Sequence, residues 1–248
     1  MMKKVNILGV KVAMVGVDGA VDAIMDMFGE DRTHAVFTPN SEIVMRAYKD
    51  ADFCAKLNSA DLLTADGIGL VHASKIIGRP ISERAAGFDI AMALLPRLAE
   101  AGKSLFLFGS KPGVAERAAK ILTERNEGLK IAGCRNGYFS PGDVDGIIDE
   151  INASGADIVF VCLGAPAQEN WICKNRDRLN ARVLIGLGGS LDAVCGDMPR
   201  APKWWCDHGL EWFYRLAKQP SRIGRMMSLP QFGLTALIHG RKFKQEDE

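Results

Sequence analysis

The sequence predicts an α/β protein: a Rossmann-like open, mostly parallel sheet with helices on both faces, a small N-terminal hairpin and a helical C-terminal appendage. Three observations carry this. Short apolar, β-prone runs recur between amphipathic stretches of helical length, as βα units require. Runs such as Ile158-Val159-Phe160-Val161 are apolar throughout, which suits strands of a parallel sheet covered on both faces. Six such runs are too few for a closed eight-stranded barrel, so an open doubly wound sheet follows.

The elements follow in order. Val5 to Leu8, then Gly9, then Lys11 to Val15 read as a hairpin, and a first helix is expected near Asp18 to Phe28. Strands are expected at His34 to Thr38, Asp61 to Thr64, Ser104 to Phe108, Leu129 to Cys134, Asp157 to Leu163 and Val183 to Leu187. One helix carries Ile43, Val44 and Tyr48, and another covers Gly69 to Ile76. Pro112 to Asn126 reads as a helix because proline suits a first turn and Val114, Ala118, Ile121 and Leu122 share a face. From Asp143 to Asn152, Val144, Ile147, Ile148 and Ile151 make the buried stripe of another. Near Pro202 the pattern changes to an aromatic-rich helical region broken by Pro220 and Pro230. The chain therefore divides into an α/β core, 1–199, and an appendage, 200–248.

Composition bounds the classes. With 248 residues, 48% hydrophobic and 25% charged, the chain can bury a substantial core, and disorder is not expected. The sequence shows no basic and apolar leader, and no apolar run reaches the roughly 20 residues of a spanning helix, so a cytoplasmic protein is expected. Six scattered cysteines without a Cys-x-x-Cys pair, and no histidines at ligand spacing, read as reduced, mostly buried thiols and no metal site.

Charge is informative by region. The net charge is +1, yet residues 203–244 hold eight Lys or Arg against two acids. Such asymmetry points to an anionic surface or substrate, with a solvated helix face as the plain alternative. Arg215, Lys218, Arg222 and Arg225 are spaced 3, 4 and 3 and would share one helix face but for the bend expected at Pro220. Met226, Met227, Leu229, Phe232, Leu234, Leu237 and Ile238 then form an apolar stretch ending in Arg241-Lys242-Phe243-Lys244. The combination reads as an interfacial anchor on an anionic membrane surface, against ordinary packing of a C-terminal helix. Nucleic acid is not an expected partner, because only the basic tail speaks for it and the chain lacks the aromatic and basic interleaving of an RNA-binding sheet.

Ligands of open parallel sheets bind at the carboxyl ends of the strands. Four polar positions fall on that rim: Thr38-Pro39-Asn40, Asp66 in Ala65-Asp66-Gly67, Gln168 in Gly164-Ala165-Pro166-Ala167-Gln168-Glu169, and Asp192 after Gly188-Gly189-Ser190. Singly, Asn40 or Ser41 and Asp66 can be read as helix caps. Together, on one edge and beside glycines, they argue for a site. The Gly188-Gly189-Ser190 and Gly109-Ser110-Lys111-Pro112-Gly113 loops can each bring backbone N–H groups to a phosphate. Neither Gly-x-Gly-x-x-Gly nor a P-loop is present, so no nicotinamide or ATP cofactor is expected. Asp143-Val144-Asp145 has the Asp-x-Asp form of a metal-holding pair but follows Ser140-Pro141-Gly142 and opens a helix, where acids complement the dipole. With no metal, phosphates must meet cationic side chains and helix N-termini.

Taken together, Thr38-Pro39-Asn40 with Glu42, Ala65-Asp66-Gly67, Arg84 before Gly87-Phe88-Asp89, Gly137-Tyr138-Phe139, Gly164-Ala165-Pro166 with Gln168-Glu169, Gly188-Gly189-Ser190 with Asp192, and Arg200-Ala201-Pro202 before Gly209-Leu210-Glu211-Trp212 resemble the WecG/TagA/CpsF glycosyltransferases. The likeness spans nearly the whole chain. It implies an inverting, metal-independent glycosyltransferase acting on a polyprenyl-diphosphate sugar, peripheral on the inner face of the cell membrane. The nearest branch is that of wall teichoic acid, which moves N-acetylmannosamine from a UDP-sugar donor to GlcNAc on undecaprenyl diphosphate. By motif position Asp66 would be the general base, with Thr38 and Asn40 beside it. Tyr138, Gln168 and Asp192 would hold the UDP, while Arg84, Arg215, Arg222 and Arg225 would meet phosphates, the last three once the appendage covers the pocket. Rival readings are a sibling using a uronic acid or glucose donor, and a non-catalytic nucleotide-binding protein that docks on membranes. Apolar surface on the appendage would give a homo-oligomer a contact face.

Overall fold

A computed structural model describes residues 2–197, 202, 205, 213, 214, 228–240, 242 and 243. Arg215, Arg222 and Arg225 lie outside the described residues.

The hairpin pairs β1 (Lys4–Ile7) with β2 (Val10–Ala13) in antiparallel register, Lys4 opposite Ala13. Its two turn residues, Leu8 (φ 53°) and Gly9 (φ 95°), are both left-handed, as a tight hairpin turn demands. Helix α1 (Val17–Met27) leads to β3 (His34–Phe37), α2 (Ser41–Lys49), α3 (Ala51–Asn58) and β4 (Leu62–Leu63). Then come α4 (Ile68–Ile77), α5 (Gly87–Glu100), β5 (Ser104–Gly109), α6 (Val114–Arg125) and β6 (Lys130–Arg135). The described elements end with α7 (Val144–Ser154), β7 (Ile158–Cys162), α8 (Ala167–Asn175), β8 (Val183–Gly186), the short α9 (Ser190–Val194) and α10 (Ser228–His239).

Strands β3 to β8 form one sheet in the order β4-β3-β8-β7-β5-β6, parallel at every pairing. All six expected strands and the expected open sheet are present. Alternation along each strand divides the core in two. Ala35, Phe37, Phe106, Phe108, Val159, Val161 and Leu184 face a layer that includes α2, α3, α7 and α8. Val36, Leu105, Leu107, Ile158, Phe160, Val183 and Ile185 face α1, α5, α6 and α9. A strand with both sets of side chains buried has no reason to alternate in polarity, which is why these runs are apolar throughout.

The final helix joins the first of these layers. Phe232 and Ala236 of α10 are 3% and 1% exposed, packed with α2 and α4, and Lys49 Nζ donates to Gln231 Oε1 at 3.1 Å. On its other side Leu234, Leu237 and Ile238 are each about 60% exposed. Among the described residues no helix is long and apolar enough to cross a membrane.

The five described cysteines are all free, but only Cys162 is buried. The expectation of mostly buried thiols fails because Cys134 lies on the edge strand β6 and Cys54, Cys173 and Cys195 sit on or after exposed helix flanks. Burial pushes the Cys162 thiol up to about 12.

At the amino ends of the strands, two aspartates stitch the sheet. Asp61 accepts from Ala35 N–H at 2.9 Å and from Arg32 at 2.6 Å, while Asp157 accepts from Ser104 N–H at 2.8 Å and from Lys103 at 3.0 Å. Burial raises each carboxyl, but these hydrogen bonds outweigh it and leave both below the ordinary aspartate value. A carboxylate with a lowered folded-state pKa stabilises fully above its unfolded value and loses that contribution as pH falls through the folded one. Urea melts are therefore expected to give a steady unfolding free energy above about pH 5 and a decline below about pH 4, less steep in Asp157→Asn.

Candidate functional site at the carboxyl edge of the sheet

The carboxyl ends of the strands carry two clusters. The first lies at β3 and β4. Thr38 is 8% exposed, and its Oγ1 donates to the Gly186 carbonyl at 3.3 Å, tying the ends of β3 and β8 together. Asn40 is the N-cap of α2, its Oδ1 accepting from Ile43 N–H at 3.1 Å, so the capping reading of Asn40 holds. For Asp66 it does not: Gly67 occupies the N-cap position of α4, and no side chain caps that helix. The Asp66 carboxylate instead lies 3.4 Å from Gly87 N–H at the start of α5.

Arg84 reaches this cluster through its loop. Thr64 Oγ1 donates to the Ala85 carbonyl at 3.0 Å, and Ala85 N–H donates to the Ala65 carbonyl at 3.0 Å. These bonds lay residues 84–87 along the exit of β4, where the Arg84 guanidinium pairs with Asp89 at 3.0 Å. Close packing helps: a Cβ on Gly87 would come within 2.6 Å of Thr38 Oγ1, so glycine lets α5 begin against the end of β3.

The second cluster lies at β5, β6 and β7. The chain leaves β5 toward the β6 edge and leaves β7 toward β8, so the connections diverge between these neighbours. Such a divergence opens the crevice in which doubly wound proteins bind ligands. Here it is a cavity of about 220 Å³ lined by Ser110, Lys111, Gly137, Tyr138, Leu163 and Asp192 among others. Tyr138 presents a ring 67% exposed, and Asp192 accepts from Ser110 Oγ at 2.8 Å. A larger hollow of about 630 Å³ lies at the amino ends of the strands, lined by Arg32, Arg176 and Arg182 with Asp31 and Asp177, and none of the expected site residues among the described ones lines it.

Gln168 lies beneath the end of β8, 4% exposed. Its Oε1 accepts from Gly188 N–H at 2.8 Å, and its Nε2 donates to Glu169 Oε1 at 3.0 Å. Gly186 leaves the space it fills, since a Cβ there would lie 2.9 Å from Gln168 Nε2. The amide thus fixes the Gly188-Gly189-Ser190 loop from below. Glu169 is 1% exposed, and its burial raises its carboxyl above the usual range. Asp143 behaves as expected: its carboxylate accepts from Ser140 N–H at 2.7 Å and Oγ at 2.8 Å, while Asp145 pairs with Arg178. Among the described residues no three His, Cys, Asp or Glu gather as a metal site.

The structure therefore places Thr38, Asn40, Asp66 and Arg84 at one end of the edge, Tyr138 and Asp192 at the other, and Gln168 between. From β4 to β5 is four strand steps, about 19 Å at a strand spacing of roughly 4.8 Å. An elongated ligand lying along this edge meets both clusters. Sequence reading did not assign Ser110 or Lys111 a role, although their loop stood out as a phosphate candidate.

Fold and site define an open doubly wound α/β protein with a polar cluster and a crevice along the carboxyl edge of its sheet. The chain belongs to the glycosyl transferase WecG/TagA/CpsF family, whose model matches residues 5–246, and it is a glycosyltransferase. It is 38% identical over 206 residues to an N-acetylglucosaminyldiphosphoundecaprenol N-acetyl-beta-D-mannosaminyltransferase of Bacillus spizizenii (strain ATCC 23059 / NRRL B-14472 / W23), covering 83% of this chain and 79% of that one. A protein of the same name from Bacillus subtilis (strain 168) is 38% identical over 202 residues, 82% of this chain and 78% of the relative.

Proposed function

We propose that this enzyme transfers N-acetylmannosamine, with inversion, from UDP-N-acetylmannosamine to GlcNAc-diphospho-undecaprenol, forming the linkage disaccharide of wall teichoic acid. The names of the two relatives support the acceptor and the transferred sugar. The observation that carries the chemistry is Asp66: a carboxylate just after β4, at the carboxyl edge of the sheet, with its oxygen 3.4 Å from Gly87 N–H. A sugar hydroxyl is a poor nucleophile at neutral pH. A carboxylate within hydrogen-bond reach takes its proton as the bond to the anomeric carbon forms, and the C–O bond to UDP breaks on the opposite face.

The UDP lies in the β5/β7 crevice, with its base on the Tyr138 ring and a nucleoside donor group on Asp192. Gln168 acts by holding the Gly188 loop. Thr38 and the Asn40 Nδ2 contact the sugars near Asp66. Arg84, and Arg215, Arg222 and Arg225 of the appendage, meet phosphates; the arginine fork suits diphosphate oxygens and stabilises the charge of the leaving UDP without a metal ion. The 200–248 appendage covers the core site of 1–199 and holds the protein peripherally on the anionic inner face of the membrane. The exposed Leu234, Leu237 and Ile238 of α10 give the apolar part of that contact.

The test is transfer to a short-chain lipid-diphosphate-GlcNAc acceptor with EDTA present, comparing UDP-N-acetylmannosamine with UDP-N-acetylmannosaminuronic acid, UDP-N-acetylglucosamine and UDP-glucose. Turnover with the first donor alone is expected. Turnover with another donor instead replaces the proposed donor, and UDP binding without turnover on any of them replaces the enzyme assignment.

A further inference from the structure

The Gly109-Ser110-Lys111-Pro112-Gly113 loop, prominent in the sequence, has no part in the chemistry above. Ser110 has φ 58°, in the left-handed region that glycine enters freely and other residues seldom do; Leu8 in the hairpin turn is the other described non-glycine there. The main chain explains why the backbone stays so. Ser110 N–H donates to the Cys162 carbonyl at 3.0 Å, and its own carbonyl accepts from Gly137 N–H at 2.9 Å. The residue thus joins the end of β7 to the loop after β6, across the mouth of the crevice. Gly109 before it has φ 137°, and a Cβ there would meet the Cys162 main chain, with its Cα 2.8 Å away.

A glycine at 110 would satisfy all of these main-chain demands. What serine adds is the hydroxyl, which donates to Asp192 Oδ2 at 2.8 Å. Asp192 stands on a helix of five residues, and among the described residues Ser110 is the group that hydrogen-bonds its carboxylate. Holding one carboxylate oxygen fixes the direction of the other. The cavity these residues line, about 220 Å³, is smaller than the 300–1,000 Å³ of a whole-ligand pocket and fits one part of a ligand, with the Tyr138 ring as a stacking face.

We infer that Ser110 is a positioning residue for the donor: its hydroxyl aims Asp192 so that the second carboxylate oxygen accepts from an O–H or N–H of the nucleoside, a ribose hydroxyl or the base imide. The inference rests on the proposed UDP donor. It also accounts for a strained serine where glycine would fold more easily, strain of this kind being characteristic of functional sites.

The experiment measures calorimetric affinity for UDP and 2′-deoxy-UDP, donor KM and kcat, and melting temperature for the wild type, Ser110→Ala, Ser110→Gly, Asp192→Ala and the Ser110→Ala/Asp192→Ala pair. Removing a hydrogen bond to a charged group is expected to weaken UDP binding and raise donor KM by about 5–20-fold in both Ser110 variants, with kcat within about twofold. Ser110→Gly should melt at or above the wild-type temperature, because it relieves the positive φ while losing affinity. In the Asp192→Ala background, Ser110→Ala should cost nothing further, since serine acts through that carboxylate. If the ribose 2′-hydroxyl is the partner, the preference for UDP over its 2′-deoxy form shrinks in Ser110→Ala; if the 3′-hydroxyl or the base is, both nucleotides weaken equally. Wild-type UDP binding with unchanged Ser110 variants overturns this inference alone, as does a loss of affinity in Ser110→Gly matched by a fall in melting temperature. A wild type that binds no UDP removes the donor reading and this inference with it.

Discussion

Asp66→Asn is expected to lower kcat by about 10²–10⁴-fold, the range general-base catalysis supplies, while UDP affinity stays within about twofold of wild type. The substitution is nearly isosteric. Asparagine can still accept from Gly87 N–H, and α4 keeps its start because Gly67 rather than Asp66 is its N-cap. What changes is basicity: a neutral amide cannot take the proton of the attacking hydroxyl. Donor binding should survive because the UDP crevice lies four strands away at β5. Single-turnover transfer measured beside UDP calorimetry separates the two quantities. Near-normal turnover in Asp66→Asn would remove the residue from the chemistry.

Phe232→Ala is expected to destabilise the protein by about 3–5 kcal/mol, as deletion of a buried phenylalanine ring does. The ring is 3% exposed in the layer shared by α2 and α4, close enough to Gly69 that a Cβ there would stand 3.7 Å from it. Loss of the ring leaves a cavity beside the first turn of α4, the helix that follows Asp66. Urea melts should show a lower midpoint with an unchanged slope, since the surface exposed on unfolding is almost the same. Leu237→Ser is the contrasting change: its side chain is 61% exposed, so it should leave stability within about 0.5 kcal/mol while weakening any apolar contact made by that face. A Phe232→Ala protein as stable as wild type would mean that α10 does not pack against the core.

Much of this was legible in the sequence because hydrophobic periodicity is local. Each buried strand wrote its own apolar run, and Val144, Ile147, Ile148 and Ile151 marked the buried side of α7 without reference to any other element. The cap at Asn40 and the helix-opening acids at Asp143 and Asp145 are equally local, as is the placing of Thr38, Asp66 and Asp192 just after strands. Motif order along the chain then carried the family.

The tertiary structure decided what depends on partners distant in sequence. The Asp66 carboxylate accepts from Gly87 N–H at the start of α5, a partner 21 residues away. Gln168, a ligand contact by motif, spends its carbonyl on Gly188, 20 residues on. Phe232, read from the sequence as part of an interfacial anchor, is buried in the core because α2 and α4 offer it a seat. Ser110 and Asp192 meet across 82 residues. A pattern of side chains fixes which face of an element turns inward, but the sheet order decides which elements become neighbours, and a hydrogen bond of 2.8 Å exists only between neighbours.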